Sequence, residues 1–315
     1  MKTFLVTGAA GFIGSNLVDK LLELNYTVIG VDNFSTGKLK NLESAKNSKD
    51  FQFFEIDLLD TESIKKVFFD SKIDAVFHLA ANADVKDGLS HPERDLQQNT
   101  IATFNVLEAM RLSEVKNILF SSTGSIYGEA SVFPTPEDHP FPIQTSLYGA
   151  SKLACEGLIQ AYCEGYNFNS WIFRFVGILG PRYSHGHVID FIKKLKSDPD
   201  KLEILGDGLQ KKSYLHVSDC IEAMLCSYKE AKSNINIINL GLDEYCNVNE
   251  SAELIINALK LDPKITHTGG KRGWIGDNPY IFLDNSKIRS LGWNPTYNLH
   301  DSIIDTVKYL IEHLA

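Results

Sequence analysis

Between an apolar triplet, Phe4-Leu5-Val6, and a stretch in which Phe12, Ile13, Leu17, Val18, Leu21 and Leu22 recur at helical spacing, the chain carries Gly8, Gly11 and Gly14. The hydrophobic period changes from strand-like to helical across these glycines, so they sit on a strand-to-helix turn. Gly8 and Gly11 let the backbone bend tightly and approach a pyrophosphate, and Gly14 lets helix and strand pack closely. Free N–H groups at the helix start face the anion. The spacing G-x-x-G-x-x-G is one residue longer at its first step than the usual dinucleotide fingerprint, so its neighbours decide the reading. A second predicted strand, Thr27 to Val31, ends at Asp32-Asn33, where an acidic residue reaches the adenosine ribose hydroxyls. A carboxylate there repels a ribose 2′-phosphate and favours NAD over NADP.

Strand and helix patterns then alternate. A strand over Phe51 to Ile56 delivers Asp57-Leu58, a helical stretch runs from Thr61 to Phe69, and the strand Ile73 to His78 ends in Leu79-Ala80-Ala81-Asn82. Small residues at that edge leave space for a cofactor. A long helix from Pro92 to Leu112 carries Asn99, which either meets the cofactor or caps and packs. The strand Asn117 to Phe120 runs into a hydroxyl cluster, Ser121-Ser122-Thr123. This alternation predicts an α/β chain with a doubly wound parallel sheet, the Rossmann fold, and a smaller C-terminal substrate-binding lobe. The expected division is residues 1–175 with 212–245 for the NAD-binding domain and residues 176–211 with 246–315 for the lobe.

Tyr148 and Lys152 open a further helix and stand four apart, on one face of one turn, where an ammonium stabilises a phenolate. A fixed Lys and a positive nicotinamide ring together lower a tyrosine pKa that is ordinarily near 10, which makes the phenol a usable base. Hydrophobic content of 43% and charged content of 23% suit an ordinary soluble globular protein, and a net charge of −9 argues against nucleic acid as a partner. No apolar run approaches membrane-spanning length and the first strand begins near the start of the chain, so a cytoplasmic protein is expected. The five cysteines show no C-x-x-C spacing and suit reduced thiols.

Taken together, the glycine turn, Asp32, Asp57, His78-Leu79-Ala80-Ala81, Ser122-Thr123 and Tyr148-x-x-x-Lys152 resemble the extended short-chain dehydrogenases, within them the nucleotide-sugar 4-epimerases that act on UDP-glucose or UDP-N-acetylglucosamine. The resemblance covers essentially the whole chain. It implies Tyr148 as the acid/base, Lys152 on the nicotinamide ribose, and Thr123 in the family's Ser/Thr position on the sugar 4-hydroxyl, with Ser122 beside it. It implies that Gly8, Gly11, Phe12, Ile13, Gly14, Asp32, Asn33, Ser35, Thr36, Gly37, Asp57, Leu58, Ala80, Ala81, Asn99 and Ser121 line NAD. A UDP-hexose substrate and a homodimer built from the Pro92 and Tyr148 helices are implied in the same way. No metal is expected: His185 and His187 lack a third ligand at suitable spacing and shape the uridine pocket instead.

The substrate segments depart from the family pattern. Gly177 stands where a substrate-touching Asn is usual, and Lys212 replaces the usual diphosphate Arg, keeping the charge without the bidentate fork. Tyr214, His187 and Val188 fall in the segments expected to surround the nucleotide. Arg272 is assigned to the diphosphate, Asp277 to the uridine ribose, and Ile281 to a gate at the sugar's C2 substituent whose preference stays open. Three other enzymes compete: a UDP-glucuronate 4-epimerase, a 4,6-dehydratase, and a net dehydrogenase or reductase, which would release NADH. The second needs an Asp-Glu after Thr123 where this chain has Gly124-Ser125. An NAD-binding regulatory protein is the non-enzyme alternative.

Overall fold

The computed structural model describes residues 2–140 and 143–314, in two compact units. Unit 1 comprises Met1–Thr123, Leu147–Arg174 and Met224–Ile238, and unit 2 comprises Gly124–Ser146, Phe175–Ala223 and Asn239–Ala315. No helix among the described residues is long and apolar enough to cross a membrane.

Unit 1 is built on a parallel sheet of seven strands. Its first six are β1 (Thr3–Thr7), β2 (Thr27–Asp32), β3 (Phe51–Glu55), β4 (Ala75–His78), β5 (Asn117–Thr123) and β6 (Asn169–Phe175), and Ile235–Leu240 is the seventh. The spatial order is Ile235–Leu240, β6, β5, β4, β1, β2, β3. β1 is buried along nearly its whole length, as a strand covered on both faces by helices must be. On one face Leu5, Val31, Val76, Ile118 and Ile172 pack with Val106, Met110, Cys155 and Ile159 from the helices Ala102–Leu112 and Leu147–Tyr166. Winding reverses between β1 and β4, and register sets Thr7 opposite both Val31 and His78. Gly8 therefore emerges at the switch point, between the carboxyl ends of β2 and β4, where doubly wound sheets bind ligands.

Unit 2 carries three small sheets. Gly177–Leu179 pairs in parallel with Tyr214–His216, Lys201–Ile204 with Lys264–His267, and Lys211–Lys212 lies between Cys246–Asn247 and Tyr280–Ile281. The helix Val248–Leu259 starts on a capping box in which Asn247 accepts the Glu250 N–H at 2.9 Å and Glu250 accepts the Asn247 N–H at 2.8 Å. Residues 124–146 belong to this unit, a division different from the one read in the sequence. Backbone pairing explains it: Thr135 donates to the Phe282 carbonyl at 2.8 Å, Asp284 donates to the Thr135 carbonyl at 2.9 Å, and the Tyr127 hydroxyl reaches Asn239 Oδ1 at 2.8 Å.

Candidate active site

The glycine turn is as tight as its sequence suggests. Gly8 adopts φ +69°, and a Cβ on it would lie 2.8 Å from the Ala80 nitrogen. A Cβ on Gly14 would lie 2.0 Å from the Gly8 carbonyl oxygen, so backbone meets backbone where a side chain would be. Gly11 donates to the Gly8 carbonyl at 3.0 Å and leads into the helix Phe12–Glu23, whose first N–H groups open on this turn. Asp32 closes the other side. Its carboxylate accepts the Ala10 N–H at 2.9 Å and the Phe34 N–H at 2.8 Å, and burial pushes its pKa up against these bonds. Asn33 donates to Asp57 Oδ2 at 3.0 Å and joins the ends of β2 and β3. Ser35 and Thr36 are exposed on the loop that follows, Gly37 folds back against Ala10 and Asp32, and Leu58 is buried with its carbonyl bonded to Asn105.

His78 shows how the carboxyl edge is fixed. Thr103 donates its only hydroxyl hydrogen to the Asn99 carbonyl at 2.6 Å, so the His78 Nε2 contact with Thr103 at 2.9 Å requires the hydrogen on Nε2. Burial holds the ring neutral, with its pKa down at about 3, which leaves Nδ1 as an acceptor. Thr7 then donates to Nδ1 at 2.7 Å, and its oxygen receives the Leu79 and Ala80 N–H groups at 3.2 Å each. One relay thus ties β1, the Ala80 edge and the helix bearing Asn99. Asn99 itself lies in a widened π-helical stretch, Leu96–Ile101, and is 1% exposed. Its amide is committed to protein partners: Oδ1 accepts the Asn82 N–H at 2.8 Å, and Nδ2 donates to Ser151 at 2.8 Å and to Asp95 at 3.3 Å. Of its two sequence readings, these bonds serve packing.

Tyr148, Lys152 and Thr123 come together at the end of β5. The Tyr148 side chain hydrogen-bonds that of Thr123, and Lys152 Nζ donates to the Ser121 carbonyl at 2.8 Å while lying 4.7 Å from the Phe120 ring centre. Burial lowers the Lys152 pKa to about 8 and raises that of Tyr148 to about 12, against the Thr123 bond, which favours the phenolate. The protein's own groups therefore keep the phenol protonated. The expected lowering calls on Lys152 and a nicotinamide ring together, and here the Lys152 ammonium is bonded to the Ser121 carbonyl. The Ser122 hydroxyl donates to Glu156 Oε1 at 2.5 Å, inside unit 1, and Ser122 is 2% exposed. That donor is spent within the protein, on Glu156. Glu156 and Arg174, which sequence reading passed over, form a fully buried ion pair at 2.8 Å. The available signal was spacing, since Glu156 continues the 148–152 stripe by one more turn.

In unit 2, Lys212 Nζ meets Asp277 Oδ1 at 2.8 Å and bonds the Asn278 carbonyl, and Asp277 Oδ2 accepts the Gly273 N–H at 3.0 Å. The residues read as separate diphosphate and ribose contacts are thus partners of each other. Arg272 pairs with Glu129 near the surface. The Tyr214 ring occupies the space beside Gly177, where a Cβ would approach it to 2.8 Å, and it stacks on His187, whose Nε2 reaches the Ser251 hydroxyl at 2.7 Å. Burial keeps that imidazole neutral, its pKa lowered to about 4. Val188, read as a substrate contact, is completely buried, with its side chain in the core of unit 2. Ile281 pairs with Lys212 in register, and its Cγ2 lies 3.3 Å from the point a Gly124 Cβ would take. Among the described residues no group of three or more His, Cys, Asp and Glu is placed to hold a metal ion.

Comparison with known proteins bears on this arrangement. Residues 4–241 match the model of the NAD dependent epimerase/dehydratase family. The chain is 33% identical to a putative UDP-glucose 4-epimerase of Methanocaldococcus jannaschii over 97% of each chain, and 32% identical to a UDP-glucose 4-epimerase of Mycolicibacterium smegmatis over 98% of each. It is also similar to a crystal structure of UDP-galactose 4-epimerase, with a TM-score of 0.89 and 35% identity over 99% of this chain and 100% of the other.

Proposed function

We propose that this chain, which belongs to the NAD dependent epimerase/dehydratase family, inverts C4 of a UDP-hexose reversibly through a transient 4-keto sugar. The family is NAD-dependent, and the residues of unit 1 fit that cofactor. The cradle of Gly8, Gly11 and Gly14 has no room for side chains and presents helix N–H groups for the pyrophosphate, while Asp32 stands at the ribose position. When bound, NAD supplies reversible two-electron oxidation at the sugar carbon and a cationic ring whose field favours the phenolate.

The observation that carries the reading is the junction of Tyr148, Thr123 and Lys152 at one strand end. Tyr148 takes the proton of the sugar 4-hydroxyl and gives it back on the opposite face after the sugar has turned about its diphosphate linkage. Thr123 donates towards the phenol oxygen and orients the hydroxyl. Lys152, fixed by the Ser121 carbonyl, holds the nicotinamide ribose and adds positive charge. Within unit 2, Lys212 and Arg272 are assigned to the diphosphate, Asp277 to the ribose, and Tyr214 and His187 to the base. Ile281 sets the tolerance at C2, which leaves UDP-glucose and UDP-N-acetylglucosamine as the substrates to compare.

Gly124 favours epimerisation over 4,6-dehydration. A Cβ there would meet the Phe175 carbonyl at 3.2 Å, Ile281 at 3.3 Å and Leu283 at 3.4 Å, so a side chain would make these neighbours give by a few tenths of an ångström. Gly124-Ser125 lacks the carboxylate a dehydratase needs after Thr123. Proton NMR of the purified protein with each UDP-sugar, without added NAD, is expected to show the galacto anomeric signal growing to an equilibrium mixture. No conversion of UDP-glucose, UDP-N-acetylglucosamine or UDP-glucuronate with NAD supplied would overturn the reading.

The homodimer belongs to the same proposal. Leu96, Ile101 and Phe104 are 56%, 41% and 43% exposed on the stretch running from Pro92 to Leu112, an apolar outer face on helices that otherwise pack inward. Phe104→Arg places a charge on that face. It is expected to shift the mass seen by light scattering from two copies towards one without lowering secondary structure, and an unchanged mass would remove this face from the interface.

A further inference from the structure

Three consecutive residues at the end of β5 are each tied to one face of the helix Leu147–Tyr166. The Ser121 carbonyl accepts Lys152 Nζ at 2.8 Å, the Ser122 hydroxyl donates to Glu156 Oε1 at 2.5 Å, and Thr123 bonds Tyr148. Tyr148, Lys152 and Glu156 follow one another at four-residue steps, so they form a single stripe. The chemistry above uses the first two. The third is held from behind, because Arg174 on β6 donates to Glu156 through Nε at 3.1 Å and through Nη2 at 2.8 Å. Ser122, Glu156 and Arg174 are 2%, 0% and 0% exposed.

A buried ion pair contributes little net stability compared with apolar side chains of the same volume, because desolvation offsets the attraction. What it does supply is direction. A planar guanidinium gripping both oxygens fixes the carboxylate plane and leaves an Oε1 lone pair aimed at Ser122. We infer that Glu156, held by Arg174, is a positioning residue that sets, through Ser122, the placement of Thr123 against Tyr148. Thr123 follows Ser122 directly, so a shift of that strand end changes the angle at which its hydroxyl meets the phenol. Misplacement by about 1 Å is enough to lower a rate a hundredfold.

The inference rests on the C4-epimerase reading for its kinetic assay alone. Ser122→Ala removes the link and leaves Glu156 paired with Arg174, so the fold is retained. The double variant Glu156→Leu with Arg174→Met removes both charges together and leaves neither buried alone. Each is expected to lower kcat about tenfold with KM unchanged. The second readout is the Tyr148 phenolate, followed by ultraviolet difference absorbance between each NAD-loaded variant and its Tyr148→Phe counterpart. Burial is the largest influence raising the Tyr148 pKa, with Asp95 and Cys155, and the Thr123 bond lowers it. Loosening that bond therefore moves the titration to higher pH in both variants. Wild-type kcat and an unmoved titration in Ser122→Ala would overturn the inference, as would a kcat loss matched by an equal loss of folded protein. Should the wild type convert no UDP-hexose, the epimerase reading falls and the phenolate titration alone decides the positioning role.

Discussion

The Tyr148→Phe enzyme is expected to lose about a thousandfold in kcat, roughly 4 kcal/mol of transition-state stabilisation, while keeping its NAD and its melting temperature. The ring stays and only the oxygen goes. Lys152 keeps its bond to the Ser121 carbonyl, so the ribose contact assigned to it is undisturbed. Proton NMR turnover, NAD per chain after extraction and thermal unfolding together check the three parts of the expectation. More than a tenth of wild-type turnover would remove Tyr148 from the proton transfer. The pH profile adds a sign. The protein's own groups raise the Tyr148 pKa to about 12, with burial the largest cause. Turnover that needs the phenolate therefore climbs as pH rises through neutrality and levels at the pKa of the NAD-loaded enzyme, which lies below that value. The Tyr148→Phe residue of activity is expected to be flat over the same range.

What was legible in the sequence is what a short stretch decides for itself. The glycine turn, Asp32 at the end of β2 and the alternation of strand and helix depend on neighbours within one supersecondary unit, and the fold and cofactor class follow from them. That Tyr148 and Lys152 lie on one helix face was legible for the same reason, since i and i+4 share a face of any helix. Ser122 was not. Its neighbour Thr123 suggested a ligand, but the partner it found is Glu156, 34 residues on, itself oriented by Arg174 from the next strand. Lys212 and Asp277 likewise stand 65 residues apart, and nothing local in either segment announces that one neutralises the other. Val188 sits beside His187 in sequence, yet successive helix residues point about 100° apart, and it turns into the core while His187 faces Ser251. Residues 124–146 read as an ordinary connection after β5, and long-range partners, Phe282 and Asp284 on Thr135 and Asn239 on Tyr127, assign them to unit 2. Long-range partners are therefore where residue-level reading stopped.

Gly14→Ala tests the cofactor cradle itself and is expected to have the second large effect. The added Cβ would sit 2.0 Å from the Gly8 oxygen and 2.8 Å from the Gly8 carbon, and both are backbone atoms of the turn. No side chain can rotate aside to relieve them. The helix Phe12–Glu23 must move away from the turn, which swings its first N–H groups off the pyrophosphate position. Overpacking of this kind costs about 3 kcal/mol of stability, and misaimed charge-assisted bonds weaken NAD binding by roughly a hundredfold. Loss of NAD from the purified protein, with a lower melting temperature, is the measurement. Gly165→Ala is the control. That glycine lies in the exposed last turn of the helix Leu147–Tyr166 with nothing within 4 Å of its would-be Cβ, so alanine there is expected to stabilise by about 0.5–1 kcal/mol through helix propensity. Two glycines in helices, each changed by one methyl group, are thus expected to move stability in opposite directions. NAD retained at wild-type occupancy in Gly14→Ala would mean that the cofactor does not depend on this close approach of helix to turn, and the cradle would have to be assigned elsewhere.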